Sequence, residues 1–475
     1  MLINNKSVMY LSCLLLLLFL VSAVAAQDTN MTNNNEDLTT SNTDSVVSVQ
    51  NDDPSSNGLT TNNGQNTRGG GASILKAPSN NENLRAANIH VTGTTFADIQ
   101  AAINSASSGD NIFLDGKVYS IGSGHPIVVN KILNIYGGSS VSDPTMAVLD
   151  SLSRDHVIRV TANNVCLKYL TITNGLSLKN SYQNYYNGGG LRVWGNSQLS
   201  SLNNFKLINC IIQNCKSMPS SIPINKYYSG GGAYIVSDNF LIQNCEFKNC
   251  SVYNVGGGFY ARGNGNVLNC TFKDNHQVAG AGTGFQINLP ASHFGQVYVD
   301  NCKFDNNYNE RGHGASICFV GTSSKVHVNN SVFTNNFVGL GDLNHCGGGG
   351  ILFHYGGGAY NCTFINNTAL EHGGAISGLS TEDVNLEIVD CRFINNTSPE
   401  GAAIYINGNG VKVDSCNLCL RTSMNRIRPR RWPRWPMYCR FPPFSAARRI
   451  CFWPDDRSEE RRVGKECRSR WSPYH

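Results

Sequence analysis

Few side chains in this chain combine type and spacing in a way that could do chemistry. Between residues 160 and 416 the only adjacent carboxylates are Glu382-Asp383. Converging acids serve proton transfer and glycosidic cleavage, but this pair is expected in a solvated loop. Gly312-His313-Gly314 sets a histidine between glycines, His354 and His372 border similar glycine runs, and His345 precedes Cys346. The glycines make a structural corner the better reading of each. Between Cys166 and Cys416 lie twelve cysteines, and no C-x-x-C pair occurs among them, so no zinc or redox motif is indicated. Tyr182, Tyr185, Tyr186, Tyr227 and Tyr228 fall in two longer inserts, 176–187 and 217–229. Tyrosine beside asparagine suits carbohydrate or protein contact, and packing over the fold suits it equally. No catalytic, metal-binding or cofactor-binding residue is assigned.

The elements that position these residues are repeats. Asn361-Cys362-Thr363-Phe364-Ile365-Asn366-Asn367 recurs as Cys391-Arg392-Phe393-Ile394-Asn395-Asn396, Cys302-Lys303-Phe304-Asp305-Asn306-Asn307 and Cys270-Thr271-Phe272-Lys273-Asp274-Asn275. Nine copies begin at 170, 210, 245, 270, 302, 331, 362, 391 and 416. Ahead of most copies two apolar residues alternate on the opposite parity, as Val297 and Val299 do before Cys302 and Phe304. Side chains alternate faces along a strand, so the slip in phase marks two short strands meeting at a bend. Asn209, Asn244, Asn301 and Asp390 sit at that bend, and Asn tolerates the left-handed backbone a corner needs. Glycines lead into another strand at Gly188-Gly189-Gly190-Leu191, Gly230-Gly231-Gly232-Ala233, Gly256-Gly257-Gly258-Phe259 and Gly373-Gly374-Ala375-Ile376.

A unit of about three such strands cannot bury a core alone and must stack on its neighbours. The expected fold is therefore all-β: a right-handed parallel β-helix of about nine or more coils, about 40 Å or longer at one strand spacing per coil. Propeller blades are expected to be longer and to carry Trp-Asp signatures. Phe96, Ile99, Ala102 and Ile103 fall on one helical face, which predicts a short N-terminal helix capping the first coil. Seven cysteines occupy the slot before Phe, Ile or Leu and are expected as a ladder of buried thiols. Cys215 and Cys250 follow Cys210 and Cys245 by five residues in consecutive repeats. Adjacent coils bring their α-carbons to about 4.8 Å, which suggests a disulfide.

The flanks differ in kind. Residues 1–26 predict a secretory signal, with Lys6, an apolar run 11–21 and small residues Ala23-Val24-Ala25-Ala26. Residues 27–88 are rich in Asn, Thr, Ser and Asp and predict a flexible stalk. The β-helix domain is expected over 89–418. From Arg421 to His475, fourteen Arg and one Lys oppose five acids, a net of +10, so residues 1–420 carry −5 of the overall +5. The repeat aborts at Cys419, and RSEERRVGKECRSRWSPYH resembles adaptor-derived read-through. The segment 419–475 is read as a frameshifted, aberrant tail rather than a basic nucleic-acid or membrane arm. Sequons at Asn329, Asn366, Asn395 and Asn396 would permit glycosylation.

The opening Phe96-Ala97-Asp98-Ile99-Gln100-Ala101-Ala102-Ile103 with Gly109-Asp110 resembles the start of pectate-lyase-like β-helix domains. The Gly373-Gly374-Ala375-Ile376 and Phe364-Ile365-Asn366-Asn367 motifs resemble repeats of chlamydial polymorphic membrane proteins. With the polar stalk, the combination is most similar to adhesin-like surface proteins of methanogenic archaea. The resemblance spans about 89–418 and implies an exported, non-catalytic cell-surface protein. Its expected partners are glycans or proteins of neighbouring cells; nucleic acid is not among them, and a membrane is met only through an anchor outside this sequence. A polysaccharide lyase or glycoside hydrolase on the same fold is the alternative. Gly312-His313-Gly314 matches a fragment of the polygalacturonase signature, but its Asn-Thr-Asp, Asp-Asp and Arg-x-Lys companions are missing. A purely structural spacer is the third reading.

Overall fold

In a computed structural model, residues 86–419 are described, apart from 178–184, 196–200, 219–226, 290–294, 315, 322–325, 341–346 and 355. The expected signal, nearly all of the stalk and the tail beyond Cys419 lie outside the described residues.

One coil shows how the sequence becomes structure. Phe259–Arg262, Gly265–Leu268, Thr271–Lys273 and His276–Ala281 are its four strands. Each pairs in parallel with its counterpart one coil on: Phe259 with Phe285, Gly265 with Val297, Thr271 with Lys303, His276 with Tyr308. Asn269 and Asp274, both at φ +54°, turn the chain between the second, third and fourth strands. The same first corner falls at Asn209, Asn244, Asn301, Asn330, Asn361 and Asp390, with φ from +50° to +54°. A third corner precedes the first strand, where Gly256 has φ +71°. A β-carbon there would meet the Phe259 carbonyl oxygen at 2.4 Å, so only glycine fits.

Repetition of this coil gives a right-handed parallel β-helix. A 21-stranded sheet carries the first and second strand positions, an 11-stranded sheet the third, and a six-stranded sheet the fourth. The third position begins at Val118–Ser120 and Ala147–Asp150, two coils before the first copy legible in the sequence. Those early coils use Tyr119 and Leu149 inward and lack the Cys and Phe-x-x-Asn signature. The fourth strand corrects the expectation of about three per repeat. The residue just before it is Cys215 or Cys250 in the first two strands and Asn275, Asn307, Asn336 or Asn367 in the next four, and Asn396 continues this asparagine column; each is 0% exposed. A hydrophobic period does not reveal strands as short as two residues, each led into by an amide or a thiol.

The core is a set of ladders. Phe247, Phe272, Phe304, Phe333, Phe364 and Phe393 stack face to face at 4.6–5.1 Å. Asn275, Asn307, Asn336, Asn367 and Asn396 hand an amide hydrogen bond from coil to coil at 2.8–3.0 Å. Each Nδ2 of Asn275 to Asn396 also donates to a phenylalanine carbonyl at 2.9–3.0 Å. The helix α1 (Phe96–Ser105) buries Phe96, Ile99 and Ile103 against the first coil, and Thr95 with Asp98 forms a capping box. Gln100 reaches the strand Ile127–Val129, its Oε1 accepting from Val128 N–H at 2.7 Å and its Nε2 donating to Val128 C=O at 3.2 Å. The side chain thus satisfies an edge strand, which would otherwise template further pairing.

Candidate functional site

Alternation along the first strand of each coil sends one residue outward. In register these are Val128, Arg159, Arg192, Tyr234, Tyr260, Gln286, Cys318, Leu352, Ser377 and Tyr405. An outward row of a solenoid is ordinarily wet, yet Arg192 and Gln286 are 5% and 7% exposed and Ser377 is fully buried. The glycine corners lie against it: β-carbons placed on Gly188, Gly373 and Gly401 would stand 3.0–3.1 Å from the β-carbons of Tyr234, Ser377 and Tyr405. The corner glycines thus let the chain pass close over the row.

The row divides chemically. At its start Arg159 and Arg192 are neighbours on adjacent coils. The Arg192 guanidinium lies 4.7 Å from the Trp194 ring centre. Tyr234 meets Trp194 edge-on at 6.1 Å and stacks on Tyr260 at 5.3 Å with planes 8° apart. Beyond Gln286, Cys318 and Leu352 join Ala281 and Tyr405 in an apolar outer cluster, and His372 stacks on Tyr405 at 4.2 Å. Among the described residues, Arg192 Nε, Gln286 Oε1 and Ser377 Oγ have no hydrogen-bond partner. Burial and the like charge of Arg159 push the Arg192 guanidinium down to about 10. Beside it, burial holds His156 down to about 4 against the pull of Asp155, with its Nδ1 2.6 Å from Gly188 O.

Two further outward ladders are aromatic. Tyr298, His327 and Tyr360 stack at 5.1 and 6.1 Å, and the Tyr360 hydroxyl donates to Glu387 at 3.1 Å. His276, Tyr308 and Phe337 stack at 5.8 and 5.0 Å, with His276 Nε2 2.9 Å from Glu310. Tyr298 and Tyr308 are exposed. Among the described residues no three His, Cys, Asp or Glu side chains cluster as a metal site, and no helix is long and apolar enough to cross a membrane.

The residues singled out in the sequence fare unevenly. Tyr182, His345 and Cys346 lie outside the described residues. The inserts form strands rather than loops where they are described: Tyr185 pairs with Tyr227 and Tyr186 with Tyr228. Tyr227 is exposed, but Tyr228 is fully buried beside Val252 and Tyr253 and offers no surface for binding. Glu382-Asp383 falls within the strand Ile376–Val389, whose register breaks at Asp383. Gly314 is a left-handed corner, as the structural reading of Gly312-His313-Gly314 required. Burial, with His313 nearby, pushes His354 down to about 4, and His372 Nδ1 stands 3.3 Å from Glu400. The sequon at Asn396 is spent on the interior ladder, whereas Asn366 and Asn395 are exposed corners.

Cys215 and Cys250 are free thiols in this structure. They do sit on adjacent coils, with Ser251 N–H donating to Cys215 C=O at 2.9 Å. In-register parallel strands, however, carry parallel Cα–Cβ bonds, so the β-carbons keep the strand spacing of about 4.8 Å. A disulfide needs about 3.5–4.5 Å. The thiols instead donate to Gln213 and Lys248 carbonyls at 3.2 and 3.5 Å. The ladder from Cys210 to Cys416 repeats this contact two residues back at 3.2–3.3 Å.

Sequence reasoning missed the outward row entirely. A signal existed: Arg192, Tyr234 and Tyr260 each stand second in the strand that follows a glycine corner. A family model described as "Right handed beta helix region" matches residues 150–333 and 225–369, which contain the row from Arg159 to Leu352. No curated protein and no solved structure matches the chain.

Proposed function

We propose that this chain is an exported, adhesin-like surface protein whose β-helix binds an extended glycan along the accessible part of the outward row, from Arg159 to Tyr260. The row itself carries the reading. It offers one side chain per coil, with Arg159 exposed, Tyr234 and Tyr260 partly exposed, and Arg192 Nε without a hydrogen-bond partner among the described residues. Repeating sugars suit a repeating row, because they pack against the outer edges of the stacked aromatics and their hydroxyls meet polar side chains. The row holds no carboxylate, so hydrolysis by a carboxylate pair has no place on it.

Display outside the cell rests on the apolar run 11–21 and the polar stretch that follows it. A second reading, a polysaccharide-cleaving enzyme, draws on one observation: Arg159 and Arg192 stand in register on adjacent coils. Two measurements test the main reading. The full chain is screened on an array of neutral and acidic glycans, and intact cells are labelled with antibody. Binding with surface labelling is expected. Absence of glycan binding overturns the adhesive reading. New reducing ends or unsaturated products on incubation with a bound polymer would transfer the case to the enzyme.

A further inference from the structure

The triplet Asn-x-Ser/Thr, the acceptor pattern for N-linked sugar, arises here from the coil itself, which sets a turning asparagine two residues ahead of a strand threonine or serine. Within the described residues it begins at Asn249, Asn269, Asn329, Asn361, Asn366, Asn395 and Asn396. Packing separates these positions. Asn396 is fully buried, accepting from Asn367 Nδ2 and donating to the Phe364 carbonyl, both at 2.9 Å. Asn329 leads to Ser331, also fully buried, whose hydroxyl accepts from Cys302 N–H and donates to the Asn329 carbonyl. At the corners, Asn249, Asn269 and Asn361 each donate Nδ2 to the corner asparagine one coil back, at 2.7, 3.1 and 2.8 Å. Asn366 does so to Asn335 at 3.4 Å.

Asn395 leaves that pattern. It is an exposed left-handed corner at φ +51°. The rung from Asn366 to Asn335 is the last of its ladder, and among the described residues Asn395 Nδ2 has no hydrogen-bond partner. Two residues on, Thr397 is exposed, whereas Ser251, Thr271, Thr363 and Thr368 hold the same place in the other corner triplets and are half-buried. The Thr397 N–H donates to the Asn367 carbonyl at 2.8 Å, so the backbone of the triplet is fixed while its amide and hydroxyl face solvent.

We propose that Asn395 is a site of N-glycosylation, taking an oligosaccharide from a polyprenyl diphosphate carrier. The bond between sugar C1 and the diphosphate oxygen breaks, C1 bonds to Asn395 Nδ2, and the proton that Nδ2 gives up leaves with the polyprenyl diphosphate; nothing is oxidised or reduced. At Asn249, Asn269 and Asn361 the sugar would have to enter an amide already engaged with its neighbour, and at Asn396 it would have to enter the core. At Asn395 it displaces no hydrogen bond. In the cell this modification follows export and so rests on the surface-protein reading above, but the acceptor geometry does not.

The test therefore separates the two. The folded full chain is incubated with a purified oligosaccharyltransferase and its lipid-linked donor, and each site is read by glycopeptide mass spectrometry. A synthetic peptide covering 391–400 serves as the control for a triplet freed from the fold. The folded chain should be modified at Asn395 at least tenfold more than at Asn396, Asn249, Asn269 or Asn361. Asn395→Gln should lose the added mass. Because glutamine strains a left-handed corner, Thr397→Ala is the second variant; it should lose the mass with the corner intact, and Thr397→Ser should keep it. A folded chain left unmodified at Asn395 while the peptide is modified overturns the inference, as does a peptide that is not modified at all. Equal transfer to Asn395 and the laddered corners also overturns it, because the fold then selects nothing. Surface labelling of intact cells tests export independently: transfer to Asn395 in the purified chain without surface labelling removes the export reading and leaves the acceptor site standing.

Discussion

The inner and outer faces of the same coils treat buried polar groups in opposite ways. Inside, Asn336 accepts from Asn307 N–H and Nδ2 at 3.0 Å and donates to the Phe304 carbonyl and Asn367 at 3.0 and 2.8 Å. Outside, Gln286 is nearly as buried, yet its Oε1 finds no partner among the described residues. Both sit at fixed positions in stacked coils, so repetition alone does not satisfy an amide. The inner ladder works because five consecutive coils, from Asn275 to Asn396, supply the same residue at the same place. The outer row changes residue at nearly every coil, from arginine to tyrosine to glutamine, and its neighbours cannot complete one another. Uniformity serves stability, and variation leaves groups open to a ligand.

The largest consequence falls on the inner ladder. Asn336→Leu keeps the volume but strands the Asn307 N–H and amide and the Phe304 carbonyl in a dry core. At about 1–3 kcal/mol for each unsatisfied group, the loss should be about 4 kcal/mol, read from the urea midpoint. Loss below about 1 kcal/mol would mean that water replaces the amide and that the two faces do not differ as described.

Titration distinguishes the faces next. The asparagine ladder has nothing to ionise, whereas His156 beside the outer row is kept neutral by burial, its pKa down to about 4. In the unfolded chain His titrates near 6.5. Between these values the unfolded state takes up the proton first, so stability is complete above about pH 6.5 and falls as the pH drops towards 4. The loss reaches about 3 kcal/mol at the lower end, and His354, also pushed down to about 4, acts in the same direction. Urea midpoints measured from pH 8 to 4 should show the decline. His156→Gln should flatten it, and an unchanged slope in that variant would remove His156 from the account.

Legibility in the sequence followed the same division. The corners at Asn209, Asn244, Asn301 and Asp390, the glycine turns, the inward Phe and Cys positions and the capping helix could all be read, because each repeats or has a 3.6-residue period. The fourth strand could not, since it is often only two residues long and, from Asn275 on, a buried amide rather than an apolar residue leads into it. The outer row was harder to read, since its residue type changes from Arg to Tyr, Gln, Cys, Leu and Ser and its burial depends on glycine corners that pass close over it. Tyr228 misled for a related reason: the sequence places it in an insert, while its pairing with Tyr186 puts it in a strand whose alternation exposes Tyr227 and buries Tyr228.

A smaller effect tests the aromatic part of the row. Tyr234→Ala removes the ring that stacks on Tyr260 and abuts Trp194. Affinity for a bound glycan should drop about tenfold, equivalent to about 1.4 kcal/mol, while Tyr298→Ala on the separate outer ladder should leave it unchanged. Calorimetry on the two variants decides between them. The reverse pattern would move the binding surface to the Tyr298, His327 and Tyr360 stack.

The smallest effect carries the opposite sign. Gln286 stands in register between Tyr260 and Cys318, where the row turns from aromatic to apolar. Replacing it with leucine removes an acceptor that has no hydrogen-bond partner among the described residues and extends the cluster of Ala281, Cys318 and Leu352. Burying an amide without a partner costs about 1–3 kcal/mol, so Gln286→Leu should raise stability by about 1 kcal/mol. The same substitution in the inner ladder, Asn336→Leu, should lower it by several times that. Two amide-to-leucine changes in stacked strands, one stabilising and one destabilising, would show that the outer row gives up stability at a buried position. If both destabilise alike, Gln286 is held as firmly as Asn336, and the row is core rather than binding surface.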